Sequence, residues 1–310
     1  MSTKRERRPA AVMLSKRANV FYLEHVRVVQ KDERVVYLTE KGGGELLQVV
    51  NIPDKNTAMV LLGKGSSITD AAVRKLAESN VVIGFCGSGG SPMFGALDLA
   101  FITPQDEYRP TEYAQAWMRM WLDEGRRLDM AAFFLRERIT WNRQVWQKEQ
   151  LPWPDQVSDT LIDSLGQARN VQELLSREAH LAKRLYAVLA QHYHVDRFSR
   201  IEGKRMKGTP AEAVNSFLDH GNYIAYGYAA VALHGLGIPY SLPVLHGKTR
   251  RGALVFDVAD LVKDGLVMPL AFEYGRKKAK DNEFRAALID RAQRLDVLDY
   301  LFGILEKAAK

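Results

Sequence analysis

From Val20 to about Thr103 the apolar residues fall in short β-branched and aromatic runs punctuated by glycine, the spacing of strands rather than helices. Residues 26–29, 34–38, 46–52, 58–62 and 81–85 read as strands, with Gly42, Gly43 and Gly44 as a hairpin turn. A helix over residues 69–79 interrupts them: Ala72 and Leu76 lie one turn apart behind a cap at Ser67 or Thr69. Residues 103–111 are polar and bracketed by Pro104 and Pro110, which puts a domain boundary between 105 and 106. Beyond Thr111 the period lengthens, and helices are predicted over 112–147, 171–193, 211–236 and 284–309. Two basic, glycine-containing stretches, 200–208 and 275–280, are expected as mobile surface loops. Residues 147–168 are broken by prolines and match no motif. The pattern predicts an α+β protein, with a mainly β domain over 1–105 followed by an all-α domain over 106–310.

Composition narrows the class. Of 310 residues 46% are hydrophobic and 26% charged, a globular balance that excludes a disordered chain. A net charge of +7 makes polyanions plausible partners, because clustered Lys and Arg release counterions on neutralising phosphates. The single cysteine, Cys86, excludes an intramolecular disulfide framework and a cysteine-rich zinc site, and fits a reducing, cytoplasmic setting. The basic N-terminus lacks the apolar core of a secretory signal, and no run approaches the roughly 20 apolar residues of a membrane span.

Two places carry candidate chemistry. Leu174, Leu175, Leu181, Ala182, Leu185, Val188 and Leu189 form one apolar stripe at helical spacing, and Glu178 lies inside it. An ionised carboxylate on a core face needs a cation, either a salt-bridge partner such as Arg184 or a distant arginine, or a metal ion. The second place is residues 244–264. If a helix starts near Asp257, then Asp257 and Asp260 are one turn apart on the same face, with His246 one loop upstream. Carboxylates with one imidazole suit Mg²⁺ or Mn²⁺ better than zinc, and such an ion serves phosphoryl chemistry. Asp257 could equally cap a helix, and Asp260 with Asp264 could form a solvated face. Lys248, Arg250 and Arg251 lie between the histidine and the acids, where cations would hold a phosphate backbone. The glycines of 63–65 and 84–90 fit no Walker pattern and read as turns, so no nucleotide is expected. Tyr223, Tyr226 and Tyr228, with Trp117, Trp121, Trp141 and Trp146, are aromatics that could stack on bases or fill the core.

Taken in order, residues 15–22, 61–69, 85–87, 91–92, 103–113, 178–186, 215–223, 246–251 and 256–260 resemble the CRISPR-associated spacer integrase, the catalytic subunit of CRISPR adaptation, and its subtype I-F branch in particular. The resemblance covers nearly the whole chain. It implies a metal site of Glu178, His246 and Asp260, with Asp257 supporting or sharing it as a further catalytic residue, and Mg²⁺ or Mn²⁺ as cofactor. It implies an N-terminal β domain that dimerises, an α-helical catalytic domain, and a small adaptation partner subunit, in this subtype fused to the interference helicase-nuclease. The implied reaction is attack by the 3′-hydroxyl of a protospacer on a phosphodiester of the CRISPR repeat, without ATP. A metal-dependent nuclease on branched or single-stranded DNA, and a non-catalytic basic DNA-binding scaffold, are the competing expectations.

Overall fold

A computed structural model describes residues 13–41, 45–85, 111–201, 208–247 and 252–310, and these fall in two compact units, one within 13–85 and one within 111–310. The predicted turn at 42–44, Cys86 and the glycines of 87–90 lie outside the described residues.

The first unit holds strands β1 (Asn19–Leu23), β2 (Val26–Lys31), β3 (Arg34–Lys41), β4 (Glu45–Ile52), β5 (Thr57–Leu62), β6 (Ser67–Ile68) and β7 (Val82–Phe85), with helix α1 (Asp70–Glu78) before the last. One sheet runs β1-β5-β7, all parallel, and the other β4-β3-β2-β6, antiparallel except where β6 joins β2. The central strand β5 is buried along its whole length, the continuous apolar run of a strand flanked on both sides. Leu23, Val28, Val35, Ile52, Val60, Leu62 and Leu76 form the core, which joins both sheets to α1. Asp32 and Glu33 both take positive φ, 48° and 60°, the backbone of a tight two-residue hairpin turn between β2 and β3. Gly65 has φ +70° and leaves room for His25 Nδ1, which would stand 2.5 Å from a Cβ there, so the glycine of this segment serves a turn. Strand β1 precedes the first strand the sequence predicts; its five residues, NVFYL, do not alternate cleanly, and its place is set by pairing with β5.

The second unit is helical: α2 (Glu112–Trp121), α3 (Glu124–Lys148), α4 (Asp155–Ser164), α5 (Val171–His192), α6 (Pro210–Gly235), α7 (Ala253–Leu266), α8 (Met268–Lys277), α9 (Asp281–Arg294) and α10 (Val297–Ala308). Helix α7 is buried almost all round, against α3 on one side and α6 on the other. Its apolar residues explain that position; its three buried aspartates, Asp257, Asp260 and Asp264, do not.

The structure corrects several boundaries. The helix predicted over 112–147 is broken after Trp121, where Asp123 caps α3 by accepting from Arg126 N at 2.9 Å. The one predicted over 284–309 is broken at Asp296, whose φ is 49°. Residues 275–277, expected in a surface loop, close α8, and Gly275 is buried there against Val214. The loop expected at 200–208 lies largely outside the described residues. Within 147–168 the chain forms α4, held by Trp153 edge-on to Trp146 at 5.1 Å and by Arg143 paired with Asp155 and Asp159. Trp117 and Trp146 are core residues.

Close approach of α7 to α3 depends on Gly265. A Cβ there would stand 2.7 Å from Asn142 Oδ1, 3.0 Å from Trp141 Cζ3 and 3.2 Å from Val145 Cβ. Asn142 is the joint between the helices: its amide donates to Arg138 O and Leu261 O at 2.6 and 2.8 Å and its oxygen accepts from Gly265 N. Gly265→Ala is therefore expected to lower stability by about 1–3 kcal/mol, the range for overpacking a filled core. Urea unfolding with an unchanged midpoint would show that the joint has slack.

Candidate active site

Arginine 138 lies on the buried stripe of α3 with Ala131, Phe134, Leu135, Ile139, Asn142 and Val145. A guanidinium cannot shed its charge there, so burial demands carboxylates. Asp264 of α7 takes two of its donors, Nε at 2.6 Å and Nη2 at 3.0 Å. Nη1 donates to Glu178 Oε1 of α5 at 2.8 Å, and Asp260 Oδ2 is 3.8 Å from the same nitrogen. Burial lowers the arginine's pKa, but the charges of Asp264, Glu178 and Asp260 outweigh it and the net shift is upward. Glu178 thus has the distant arginine partner that its place in an apolar stripe requires, whereas Arg184 is exposed.

The loop before α7 brings in the histidine. Trp117 and Trp121 of α2 donate their indole N–H groups to Leu242 O and Pro243 O at 3.0 and 2.7 Å, which fixes the start of that loop. Asp257 fixes its end. Its Oδ2 accepts from Val244 N at 2.7 Å and Leu245 N at 3.1 Å, and its Oδ1 accepts from His246 N at 2.9 Å and lies 2.5 Å from His246 Nδ1. Helix α7 starts at Ala253, ahead of Asp257, so Asp257 does not cap it, and its carboxylate faces the loop while Asp260 faces Arg138 and the imidazole. With Nδ1 tied to Asp257, His246 Nε2 is turned toward Asp260 Oδ2, 3.9 Å away. Burial lowers the imidazole pKa, but the hydrogen bond it donates to Asp257 and the charge of Asp260 outweigh it, so the value is raised. Stability from this pairing is complete below the unfolded imidazole pKa and is lost as pH rises through the higher folded value. In metal-free buffer, the Tm deficit of His246→Ala is expected to be larger in mild acid than in alkali. An equal deficit at both would show that the charged pairing contributes nothing.

Asp260 completes the cluster. It is almost wholly buried, and its Oδ1 meets the Lys263 ammonium as an ion pair without hydrogen-bond geometry. Burial raises its pKa, yet Lys263, Arg138 and His246 together bring it below the usual carboxylate range. The Lys263 ammonium, against Asp260 and 5.4 Å from the Tyr226 ring centroid, has its pKa raised despite burial. Among the described residues no group of three or more His, Cys, Asp and Glu stands at ion-holding distances; Arg138 meets Glu178 and Asp260, and Lys263 meets Asp260.

The sequence matches the family described as CRISPR associated protein Cas1 over residues 20–295. The chain belongs to the Cas1 family. A relative from Pseudomonas aeruginosa (strain UCBPP-PA14), the CRISPR-associated endonuclease Cas1, is 43% identical, covering 96% of this chain and 95% of its own. Two solved structures share the fold. One is a TtCas1–DNA complex, with TM-score 0.70 and 22% identity over 94% of this chain and 92% of that one. The other is a casposase bound to integration product, with TM-score 0.66 and 16% identity over 85% and 74%.

In this Cas1-family chain, Glu178, His246, Asp257 and Asp260 meet in one cluster, whereas Lys248, Arg250 and Arg251 lie outside the described residues. Sequence reasoning passes over Arg138 and Lys263, and the alternative that placed Asp264 with Asp260 on a solvated face does not hold, since Asp264 is almost fully buried against Arg138. The signal for Arg138 is the one that marks Glu178, a charge at a buried position of an amphipathic helix. A divalent cation fits the donor set chemically. Two carboxylates and an imidazole are the oxygen-rich, single-nitrogen set of Mg²⁺ or Mn²⁺. Asp260 Oδ1 is met by the Lys263 ammonium, and the Asp257 bond to Nδ1 leaves Nε2 as the ring nitrogen that could meet an ion. Glu178, Asp260 and Asp264 face the two cations Arg138 and Lys263 while Asp257 holds the imidazole, so carboxylates outnumber the permanent cations of the cluster. Among the described residues no helix is long and apolar enough to cross a membrane.

Proposed function

We propose that this chain is a metal-dependent DNA integrase with endonuclease chemistry, which joins the 3′-hydroxyl of a new spacer duplex to a phosphodiester of a CRISPR repeat. The observation that carries the reading is that Glu178 and Asp260 flank Arg138 Nη1 while His246 Nε2 is turned toward Asp260, in one cluster where carboxylates outnumber permanent cations. The name of the Pseudomonas relative and the DNA-bound and integration-product-bound neighbours support it.

Glu178, His246 and Asp260 would hold Mg²⁺ or Mn²⁺, which when bound neutralises charge growing on phosphate oxygens and lowers the pKa of the attacking hydroxyl. Asp257 orients the imidazole, and Lys263 with Arg138 keeps Asp260 ionised in its buried place. Lys248, Arg250 and Arg251, next to His246 in sequence, would hold the DNA backbone. In the reaction one P–O bond forms to the incoming 3′-oxygen as the repeat's P–O3′ bond breaks; the attacking hydroxyl loses its proton and the leaving oxygen gains one. The number of phosphodiesters is conserved, so ATP is not needed. The chain is taken to act as a homodimer through its β domain, with a small adaptation partner subunit fused to the interference helicase-nuclease.

The test is a short duplex with free or blocked 3′ ends, incubated with repeat DNA and Mn²⁺ in the presence of the partner subunit. Joining that needs both the free 3′-hydroxyl and the ion is expected. Cleavage that survives the 3′ block without joining would favour the nuclease reading, and DNA binding with neither reaction would favour the scaffold.

A further inference from the structure

The guanidinium of Arg138 stands between the two carboxylates assigned to the ion. Asp264 holds its Nε and Nη2 as a fork, so the head cannot turn away, and Nη1 is directed at Glu178 Oε1 at 2.8 Å with Asp260 Oδ2 at 3.8 Å. We propose that Arg138 is a positioning residue, a resident counter-cation that holds Glu178 and Asp260 in place before the ion arrives and then competes with it for Glu178. This inference rests on the reading of Glu178, His246 and Asp260 as the ion site.

The argument is electrostatic and geometric. Carboxylates gathered in a buried site repel one another and are held together only by charge of the opposite sign. Arginine supplies that charge permanently, since it does not deprotonate in proteins. Its anchor on Asp264 is separate from its contact with Glu178, so the Glu178 bond can be given up while the guanidinium stays in the fold. A divalent ion taking Glu178 Oε1 must displace or share that hydrogen bond, and it sits near a fixed positive charge that repels it. Arg138 therefore weakens ion binding while making the empty site a stable, preassembled one. Lys263, on the other oxygen of Asp260, adds to the same restraint.

Calorimetric titration of the full-length protein with Mn²⁺, paired with thermal melts with and without the ion, tests this. Arg138→Met is expected to bind Mn²⁺ on the order of tenfold more tightly, because a repelling charge and a competing donor are removed together. Its metal-free Tm should fall, and Mn²⁺ should raise the Tm more than in the parent protein. Should the single variant not fold, Arg138→Met with Asp264→Leu also removes the carboxylate left alone in the core. Tightening is expected there too, because the competition for Glu178 is gone although the net charge is unchanged. A purely structural role would lower Tm and leave the Mn²⁺ affinity of the folded protein alone, and that result overturns the proposal. Asp260→Asn separates the two ideas. If it binds Mn²⁺ as the parent does, the ion site is elsewhere and both readings fall. If it loses Mn²⁺ while neither Arg138 variant tightens binding, only the Arg138 assignment falls.

Discussion

Asp260→Asn is expected to reduce strand joining at least a hundredfold while leaving the protein folded. Asparagine keeps the volume of a side chain that is almost wholly buried, so no cavity opens in α7. What disappears is one negative charge facing Arg138, His246 and Lys263, and with it a carboxylate proposed to hold the ion. Ion-mediated stabilisation of a reacting phosphate amounts to several kcal/mol, and each 1.36 kcal/mol is about a factor of ten in rate. Stability should change less than activity, because Arg138 retains its bidentate bond to Asp264 and its bond to Glu178, and the Lys263 ammonium, though it loses a carboxylate, keeps a carboxamide oxygen beside it. Circular dichroism and melting of the same preparation used in the joining assay supply the control. Joining within tenfold of the parent would remove Asp260 from the site.

Asp257→Ala is expected to behave differently, losing activity and stability together. Its carboxylate satisfies the backbone N–H groups of Val244, Leu245 and His246 and holds the imidazole by Nδ1. Each buried donor left without an acceptor costs about 1–3 kcal/mol, so a substantial fall in Tm should follow. Loss of an outer-shell carboxylate on a ligating histidine typically costs about 10–100-fold in metal affinity or activity. The contrast between the two variants is the diagnostic. A stable, inactive Asp260→Asn beside an unstable Asp257→Ala would separate a ligand from the residue that aims one. An Asp257→Ala protein that melts like the parent would deny that residue its anchoring role.

How much of this was legible beforehand depends on whether the deciding contact is local. Helices α1 and α5 lie within a residue of their predicted bounds, 69–79 and 171–193, because caps and apolar period are near-neighbour properties. The breaks at Leu122 and Asp296 escaped because apolar spacing continues across them. Residues 275–277 looked like loop because Gly275 with Arg276 and Lys277 has the composition of one; tertiary packing against Val214 makes them helix. In the site, Glu178 stood out as an acid within an apolar stripe. Arg138 did not, lying close to Arg136 and Arg143 in a helix rich in arginine, and its partner Asp264 is 126 residues away. The separate duties of Asp257 and Asp260 depend on where three loop amides point, which spacing along α7 does not encode.

Helix α7 carries Asp257, Asp260, Lys263 and Asp264 within about two turns. Each residue of an α-helix advances the direction of the next by about 100°, so a single insertion or deletion between 257 and 264 would swing one part of the set away from the other. Such a change is therefore expected to part the carboxylate that holds the imidazole from those that face Arg138, whereas a substitution would alter one contact alone.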